Sequence, residues 1–468
     1  MNYSAYKIFK NKAPVQELFS AFKDDALPFL LESSQDVSGM GRYSFFGSEP
    51  FLTVSYKDGF SYIERNGKIV EKKQHGLSVL REHLDAYRLS GHNKPCLPFL
   101  SGAVGFFAYD LGFSLEKIAR VNSPDILVPD LKFGFYDVVV CVDHKEGRLT
   151  VFSSGFPETG SLRVKRAEAR LAEACGKLKA GALMLEPARE RVKKRDLSSN
   201  FSRQEYLAAI RKAKDHIAAG DIYQVNLSQR FKARSDIDDW SLYRRLSKNF
   251  PVSFSGFFAD KDFSIISASP ERFLKFDGSR VFTRPMKGTR SRTEDAALNK
   301  RLKKELQLSE KEKAELLMIV DLERNDLGRV CEYGSVRVSK LRQIEAYKGV
   351  FQATAEVDGT LHKGKDRIDL VRACFPGGSV TGCPKIRSME IIEELERSAR
   401  SVYTGAFGYF SFHNTLELNI LIRSFLKKKD EILFNVGGGI VADSRPADEY
   451  EETLVKGRAL MEALTDGR

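Results

Sequence analysis

Cysteine is scarce: six residues (Cys96, Cys141, Cys175, Cys331, Cys374 and Cys383) lie scattered over 468 positions, with no Cys-x-x-Cys pair and no zinc-ligand spacing. The pattern excludes a zinc module and reads as free thiols in a reducing compartment. Long apolar runs are missing too. The stretch Val138 to Val142 is typical of the longest and is far too short to span a bilayer, and the segment from Met1 to Lys7 lacks the charged-then-apolar design of a signal peptide. A soluble, cytoplasmic protein without a membrane partner is expected. No internal repeat or low-complexity tract is present, which sets aside solenoids and disordered tails. Charge, by contrast, is plentiful: 75 Lys and Arg against 63 Asp and Glu give +12. A basic balance suits nucleic acid, a membrane surface or a small polyanion. Because acidic residues are interleaved with the basic ones, nucleic acid is the weaker choice, and salt-sensitive retention on DNA would mark that reading.

The first part of the chain reads as short strands and turns. Ser44 to Gly47, Phe51 to Tyr56 and Phe133 to Val140 are rich in aromatic and β-branched residues, while Lys57-Asp58-Gly59 and His144 to Gly147 look like hairpin loops. Helical stretches fall near Leu77 to Tyr87 and Ser161 to Lys179. Residues 177–202 combine small residues, a proline and a charge run, so a boundary is expected there, dividing the chain into an N-terminal domain 1–195 and a catalytic domain 196–468.

Beyond it, Ser202 and Glu205 form a capping box, Tyr206, Ile210, Ala213 and Ile217 make an apolar stripe, and Gly220 is the C-terminal stop. From Tyr223 to Phe231 the period changes to two, giving a half-buried strand with an amide-lined polar face. Strands are expected again at Ser253 to Phe258, Phe263 to Ala268, Gly405 to Ser411, Leu416 to Ser424 and Glu431 to Val436. Runs of strands with sporadic long helices predict an antiparallel α+β core rather than a doubly wound sheet.

Several residues are placed for chemistry. Lys287 sits in Arg284-Pro285-Met286-Lys287-Gly288-Thr289, with Arg284, Arg290 and Arg292 around it in sequence. Neighbouring positive charge disfavours an ammonium and so frees an amine nucleophile, although such a run taken alone is usually a charged face. Glu271, in Ser269-Pro270-Glu271-Arg272-Phe273, ends a strand, where a pairing with Arg272 would be ordinary. Ser309 and Glu312 form a second capping box. The helix it opens carries Glu315 in line with Met318, Ile319 and Leu322, and the residues leave a lysine salt bridge and a metal ligand evenly matched for that carboxylate. Pro376 to Lys385 is a glycine-rich loop entering a helix, with Pro384 in its first turn and free N–H groups suited to an anion. Gly437, Gly438 and Gly439 permit either close approach to a carboxylate or a strand bulge. Glu452 and Lys456 are spaced for an ion pair.

Taken together these strings resemble the chorismate-using enzymes, in particular the component I enzymes of aminodeoxychorismate synthase. The lysine segment is close to their Pro-Ile-Lys-Gly-Thr signature, and the loop, carrying Ser379 and Thr381, is close to Gly-Gly-Ser-Ile-Thr-Gly-Ala-Pro-Lys with Cys383 in place of Ala. The resemblance implies a large antiparallel β-sandwich with helices outside and the active site in a cleft. It implies magnesium-dependent replacement of the 4-hydroxyl of chorismate by ammonia, which a separate glutamine amidotransferase subunit (component II) would supply. It assigns Lys287 as nucleophile and Glu271 as general acid, with Glu315 and Glu452 holding Mg2+ together with a substrate carboxylate. Substrate contacts fall to Gly288, Thr289, Ser379, Thr381, Gly437, Gly438, Gly439 and Lys456, with Tyr403 and Arg423 on the enolpyruvyl side chain. The alternative is the related component I of anthranilate synthase, which carries Ala at the Lys287 position. Where relatives have His-Leu-x-Ser, this chain has Gln352-Ala353-Thr354-Ala355, so the histidine associated with pyruvate elimination is missing. Leu30-Leu31-Glu32-Ser33 and Gly41-Arg42-Tyr43-Ser44-Phe45-Phe46-Gly47 resemble the tryptophan site of anthranilate synthase component I and of some of its relatives, which marks Glu32, Ser33, Arg42 and Tyr43.

Overall fold

The computed structural model describes residues 4–90, 95–122, 125–180 and 197–465. Two large antiparallel sheets organise these residues. The first runs from its edge strand Ala5–Lys10 through Arg148–Ser153, Val138–Asp143, Tyr43–Gly47, Phe29–Glu32, Phe254–Ala259, Ser264–Ser269, Ser424–Lys428 and Glu431–Ile440 to Gln224–Arg234. The second runs from Met286–Ser291 through Val350–Thr360, Arg280–Arg284, Arg272–Phe276, Leu416–Ile420, Ala406–Ser411, Gly102–Phe107, Leu131–Tyr136, Leu52–Lys57 and Phe60–Arg65 to Lys68–Gln74. This is the expected α+β architecture.

Between the sheets lies an aromatic layer that includes Phe29, Phe45, Phe99, Phe106, Tyr136 and Tyr409, with Phe99 stacked on Tyr409 at 4.4 Å between centroids. Full burial of such side chains is worth about 1.5–3 kcal/mol each, so this layer is a main source of cohesion between the sheets. The long helices Gly160–Ala180 and Pro446–Thr465 cover the outer face of the first sheet, and Gly76–Ala86 and Glu310–Gly328 that of the second. Among the described residues no helix is long and apolar enough to cross a membrane.

The expected boundary at 195/196 lies in residues 181–196, outside the described residues. Each sheet takes strands from both sides of it: Leu30 pairs with Phe257 in one, and Gly105 with Gly408 in the other. The helix after it forms as expected, Arg203–Ala218, with both halves of the Ser202–Glu205 capping box made and Gly220 at φ 83 just past its end. Two expected strands are broken. Phe133 to Val140 divides at Asp137 into Leu131–Tyr136 and Val138–Asp143, which belong to different sheets, and Asp137 is buried against Arg166 at 3.0 Å. Leu416 to Ser424 divides likewise, into Leu416–Ile420 and Ser424–Lys428. Gln224–Arg234 is not half-buried either: Gln224, Asn226 and Ser228 are buried along with Val225 and Leu227, because the polar face turns into the molecule, whereas Tyr223 is 71% exposed.

Candidate active site

Two crossovers between the sheets lie side by side. The chain leaves the first sheet at Ser269 and enters the second at Arg272, and it returns between Ile420 and Ser424. The Ser269 hydroxyl donates to the Ile420 carbonyl at 2.6 Å, and the Ile420 N–H donates to the Glu271 carbonyl at 3.1 Å, which ties the crossovers together. Glu271 lies on one crossover and Arg423 on the other, and both line a cavity of about 460 Å3.

Glu271 is buried and accepts a 2.6 Å hydrogen bond from the Ser379 hydroxyl of the glycine-rich loop. Burial pushes its carboxyl up to about 7, against the opposing pull of that hydrogen bond and of Lys287. The pairing with Arg272 that strand-end position allowed does not form. Arg272 points to the opposite side and holds Glu417 at 2.8 Å.

Lys287 reaches the same cavity from the strand Met286–Ser291. Opposite it on Val350–Thr360 stands Ala353, whereas Thr289 stands opposite Gln352, so the register slips by one at Gly288, a bulge that re-aims the lysine. Gly288 has φ 75, which favours glycine, and a Cβ there would come within 2.7 Å of a Glu312 carboxylate oxygen and displace that side chain. Burial lowers the Lys287 ammonium below the ordinary lysine range, Glu315 opposes this, and Lys456 adds to it. The arginines adjacent in sequence do not have that role, which corrects the expectation. Arg284 forms a buried ion pair with Glu345, Arg290 holds Glu305 and Glu312, and Arg292 donates to the Tyr347 carbonyl.

Carboxylates meet at the opposite wall. Ser309 caps the helix Glu310–Gly328 by accepting the Glu312 N–H, but the reciprocal half of the expected capping box is absent because Arg290 takes the Glu312 carboxylate at 3.1 Å. Glu315 faces the cavity with Lys311 3.9 Å away, its carboxyl pushed up by burial against the pull of Lys287. Glu452 pairs with Lys456 at 2.7 Å and is held below the usual carboxylate range by it. Lys456 also donates to the Gly437 carbonyl at 3.1 Å. Glu312 and Glu449, each three residues before one of these carboxylates, line the same cavity, and Glu449 accepts from Ser444 at 2.6 Å. Neither was expected in the cavity, Glu312 being marked by the sequence only as a cap, although i, i+3 carboxylate pairs on two helices were the available signal. Among the described residues no three His, Cys, Asp or Glu side chains gather closely enough to hold a metal alone. Hard oxygen donors on two helices around a space that admits a ligand are nonetheless a set that magnesium accepts when water and ligand oxygens complete its shell.

Gly288, Thr289, Ser379, Tyr403, Arg423, Gly437, Gly439 and Lys456 all line the cavity. Gly437, Gly438 and Gly439 keep regular pairing with Ser228, Leu227 and Asn226 in turn, so there is no bulge. A Cβ on Gly438 would lie 3.4 Å from Glu449, and one on Gly439 would lie 3.0 Å from Lys287 Nζ. Thr381 differs: fully buried, its hydroxyl donates to the Gly377 carbonyl at 3.0 Å and shapes the loop from within. Pro384 is the N-cap of Lys385–Leu395 rather than its first residue. Three amide side chains complete the site: Gln224 beside Lys287 and Asn226 on the cavity wall, both from the amide-lined face expected of their strand, and Gln352, also on the wall, each with a buried oxygen that has no hydrogen-bond partner.

Glu32, Ser33, Arg42 and Tyr43 come together around a separate cavity of about 520 Å3. Glu32 accepts from Tyr243 at 2.5 Å and from Gln16 at 3.1 Å, and burial pushes its carboxyl up. Ser33 donates to the carbonyls of Tyr43 and Ser253, and Arg42 pairs with Asp143 at 2.8 Å. Arg272 lines this second cavity, so consecutive residues Glu271 and Arg272 face different chambers.

Comparison with known proteins identifies the family and the fold. Residues 46–462 match the model of a family described as chorismate binding enzyme. The chain is 38% identical over 462 residues to anthranilate synthase component 1 of Thermus thermophilus, covering 98% of this chain and 94% of that one. It is 35% identical over 439 residues to aminodeoxychorismate synthase component 1 of Bacillus subtilis, covering 93% and 91%. Among solved structures, anthranilate synthase component I of Streptococcus pneumoniae superposes with a TM-score of 0.78 at 30% identity, covering 91% of this chain and 93% of that one. The menaquinone-specific isochorismate synthase of Escherichia coli, at 16% identity and TM-score 0.74 over 99% and 95%, shares the fold.

Proposed function

Because this chain belongs to the family of chorismate-binding enzymes, we propose that it replaces the 4-hydroxyl of chorismate by ammonia and releases 4-amino-4-deoxychorismate with the enolpyruvyl group intact. The observation that carries this reading is the pairing across one cavity of a lysine whose ammonium is destabilised and a carboxyl held up to about 7. One is suited to attack, the other to protonate a leaving hydroxyl near neutral pH.

Direct displacement at the hydroxyl-bearing carbon is difficult. In the proposed route the neutral Lys287 amine forms a C–N bond at the ring carbon two positions along the diene. The π electrons shift, the C–O bond breaks, and Glu271 gives its proton so that water leaves. Ammonia then attacks the original carbon, the shift reverses, and Lys287 departs as a neutral amine while the Glu271 carboxylate takes the proton that ammonia sheds. Arg423 and Tyr403 grip the enolpyruvyl side chain, the guanidinium by its N–H edge. Glu315 and Glu452, flanked by Glu312 and Glu449, would hold magnesium, which when bound neutralises a substrate carboxylate. The relatives named component 1 support a separate glutamine amidotransferase subunit as the ammonia source.

A second reading, component I of anthranilate synthase, is favoured by the 38% identity to the Thermus protein of that name. Lys287, and Gln352 in place of a histidine, argue against it. Incubation with chorismate, magnesium and ammonium separates the two: 4-amino-4-deoxychorismate is expected, and anthranilate with pyruvate would overturn the proposal.

A further inference from the structure

Arg423 carries its charge into the active-site cavity without an acidic partner among the described residues, and the only titratable neighbour acting on it is the phenol of Tyr347. Other buried arginines spend their N–H groups on protein acceptors: Arg272 on Glu417, Arg284 on Glu345 and Arg400 on Glu396, while Arg163 donates to the Ser154 carbonyl and Arg367 to those of Ser411 and Thr415. What touches the Arg423 guanidinium is an aromatic face, the Phe250 ring, whose centroid lies 4.0 Å from the guanidinium carbon. That distance is at the close end of a cation–π contact.

The choice of an aromatic ring over a carboxylate has a chemical consequence. A carboxylate would cancel the charge and consume two N–H donors, whereas a ring face attracts the cation through its quadrupole and uses no donor. Both ends of the contact are fixed. Phe250 is 7% exposed, belongs to the apolar cluster outside the first sheet, and closes the helix Asp239–Asn249 by donating its N–H to the Leu246 carbonyl at 2.8 Å. Arg423 holds the left-handed conformation at φ 51, which costs energy for a residue with a Cβ, and its carbonyl accepts the Ala268 N–H at 3.1 Å. The guanidinium thus stands between a rigid backbone crossover and a rigid ring.

We propose that Phe250 is the positioning residue of the carboxylate receptor: it holds Arg423 face-on, charged and with its N–H edge unspent, for the carboxylate of the enolpyruvyl side chain. This rests on the assignment of Arg423 given above. Phe250 itself makes no bond to substrate; it acts through the orientation of Arg423.

The test is steady-state kinetics of the full chain with chorismate, magnesium and ammonium. Phe250→Leu is expected to raise KM for chorismate about tenfold, the scale of a desolvated cation–π contact, with kcat within about twofold of wild type. Phe250→Tyr and Phe250→Trp, which keep a ring face, are expected to restore KM, and retained kcat shows that each variant is folded. In an Arg423→Met background the Leu substitution is expected to add no further rise. A wild-type KM in Phe250→Leu, a Tyr or Trp variant no better than Leu, or additive effects in the double variant would each overturn the inference. An unchanged KM in Arg423→Met alone would instead overturn the carboxylate assignment on which it rests.

Discussion

Ser379 and Glu271 meet in a 2.6 Å hydrogen bond that joins the glycine-rich loop to the crossover between the sheets. The hydroxyl donates to the carboxylate, so it stabilises the ionised form and restrains the upward push of burial. Because Glu271 must be protonated to act as an acid, kcat/KM is expected to fall as pH rises through about 7. Ser379→Ala removes a stabiliser of the carboxylate and should move that falling limb to higher pH, by about one unit. A pH–rate profile checks this, and a limb that stays in place or moves down contradicts the assignment.

Lys287→Ala should lower formation of the aminated product by at least about a thousandfold, and Lys287→Arg should fare no better because a guanidinium stays protonated. Incubating the wild-type chain with chorismate and magnesium without ammonia, then mapping peptides by mass, should find the adduct on Lys287. Full activity in the Ala variant would leave this lysine without a covalent role.

Glu315→Gln and Glu452→Gln are each expected to weaken the apparent affinity for magnesium in turnover about tenfold or more, with melting temperature little changed because both carboxylates face open cavity space. A magnesium titration of activity for each variant decides the matter. Identical titration curves would remove these residues as ligands.

Glu323 offers a test on stability rather than rate. It lies buried on the helix Glu310–Gly328 near Asp326, and burial pushes its carboxyl up to about 8, with Asp326 adding to the shift. With the folded value above the unfolded one, its contribution is complete below about 4.5 and is lost as pH rises through about 8. Glu323→Gln should therefore stabilise the chain at pH 9 relative to pH 5, on the order of 2 kcal/mol compared with wild type. Denaturation curves at the two pH values measure it, and parallel pH dependence in both proteins would refute the shift.

Local rules were legible and long-range ones were not. The helix from Arg203 could be read because Ser202, Glu205 and Gly220 encode its ends within a few residues. The breaks at Asp137 and at Leu421 to Arg423 could not, since the strands flanking each break are buried on two faces and the apolar run continues across the point where the chain changes sheet. Within the site, Lys287 was visible in its motif, but the source of its altered basicity was misread from sequence neighbours. Strand geometry sends Arg284, Arg290 and Arg292 to other partners, and Lys456, 169 positions on, comes close instead. Glu312 was legible as a cap and proved to be a wall of the cavity.

The interleaving of strands from distant parts of the chain bears on biosynthesis. Gly102–Phe107 has Leu131–Tyr136 along one edge, but its other edge is filled only by Ala406–Ser411, about 300 residues later, and the second edge of Phe29–Glu32 waits for Phe254–Ala259. Such long-range pairings are slow to form, since the closure of the intervening loop must be met before any contact rewards it. During translation at about 5–20 residues per second, the nascent chain therefore carries unpaired strand edges for on the order of a minute or less before the last strands leave the ribosome. In that window the N-terminal strands are a substrate for chaperones, and truncation before Ser411 leaves Gly102–Phe107 as an open edge primed to aggregate.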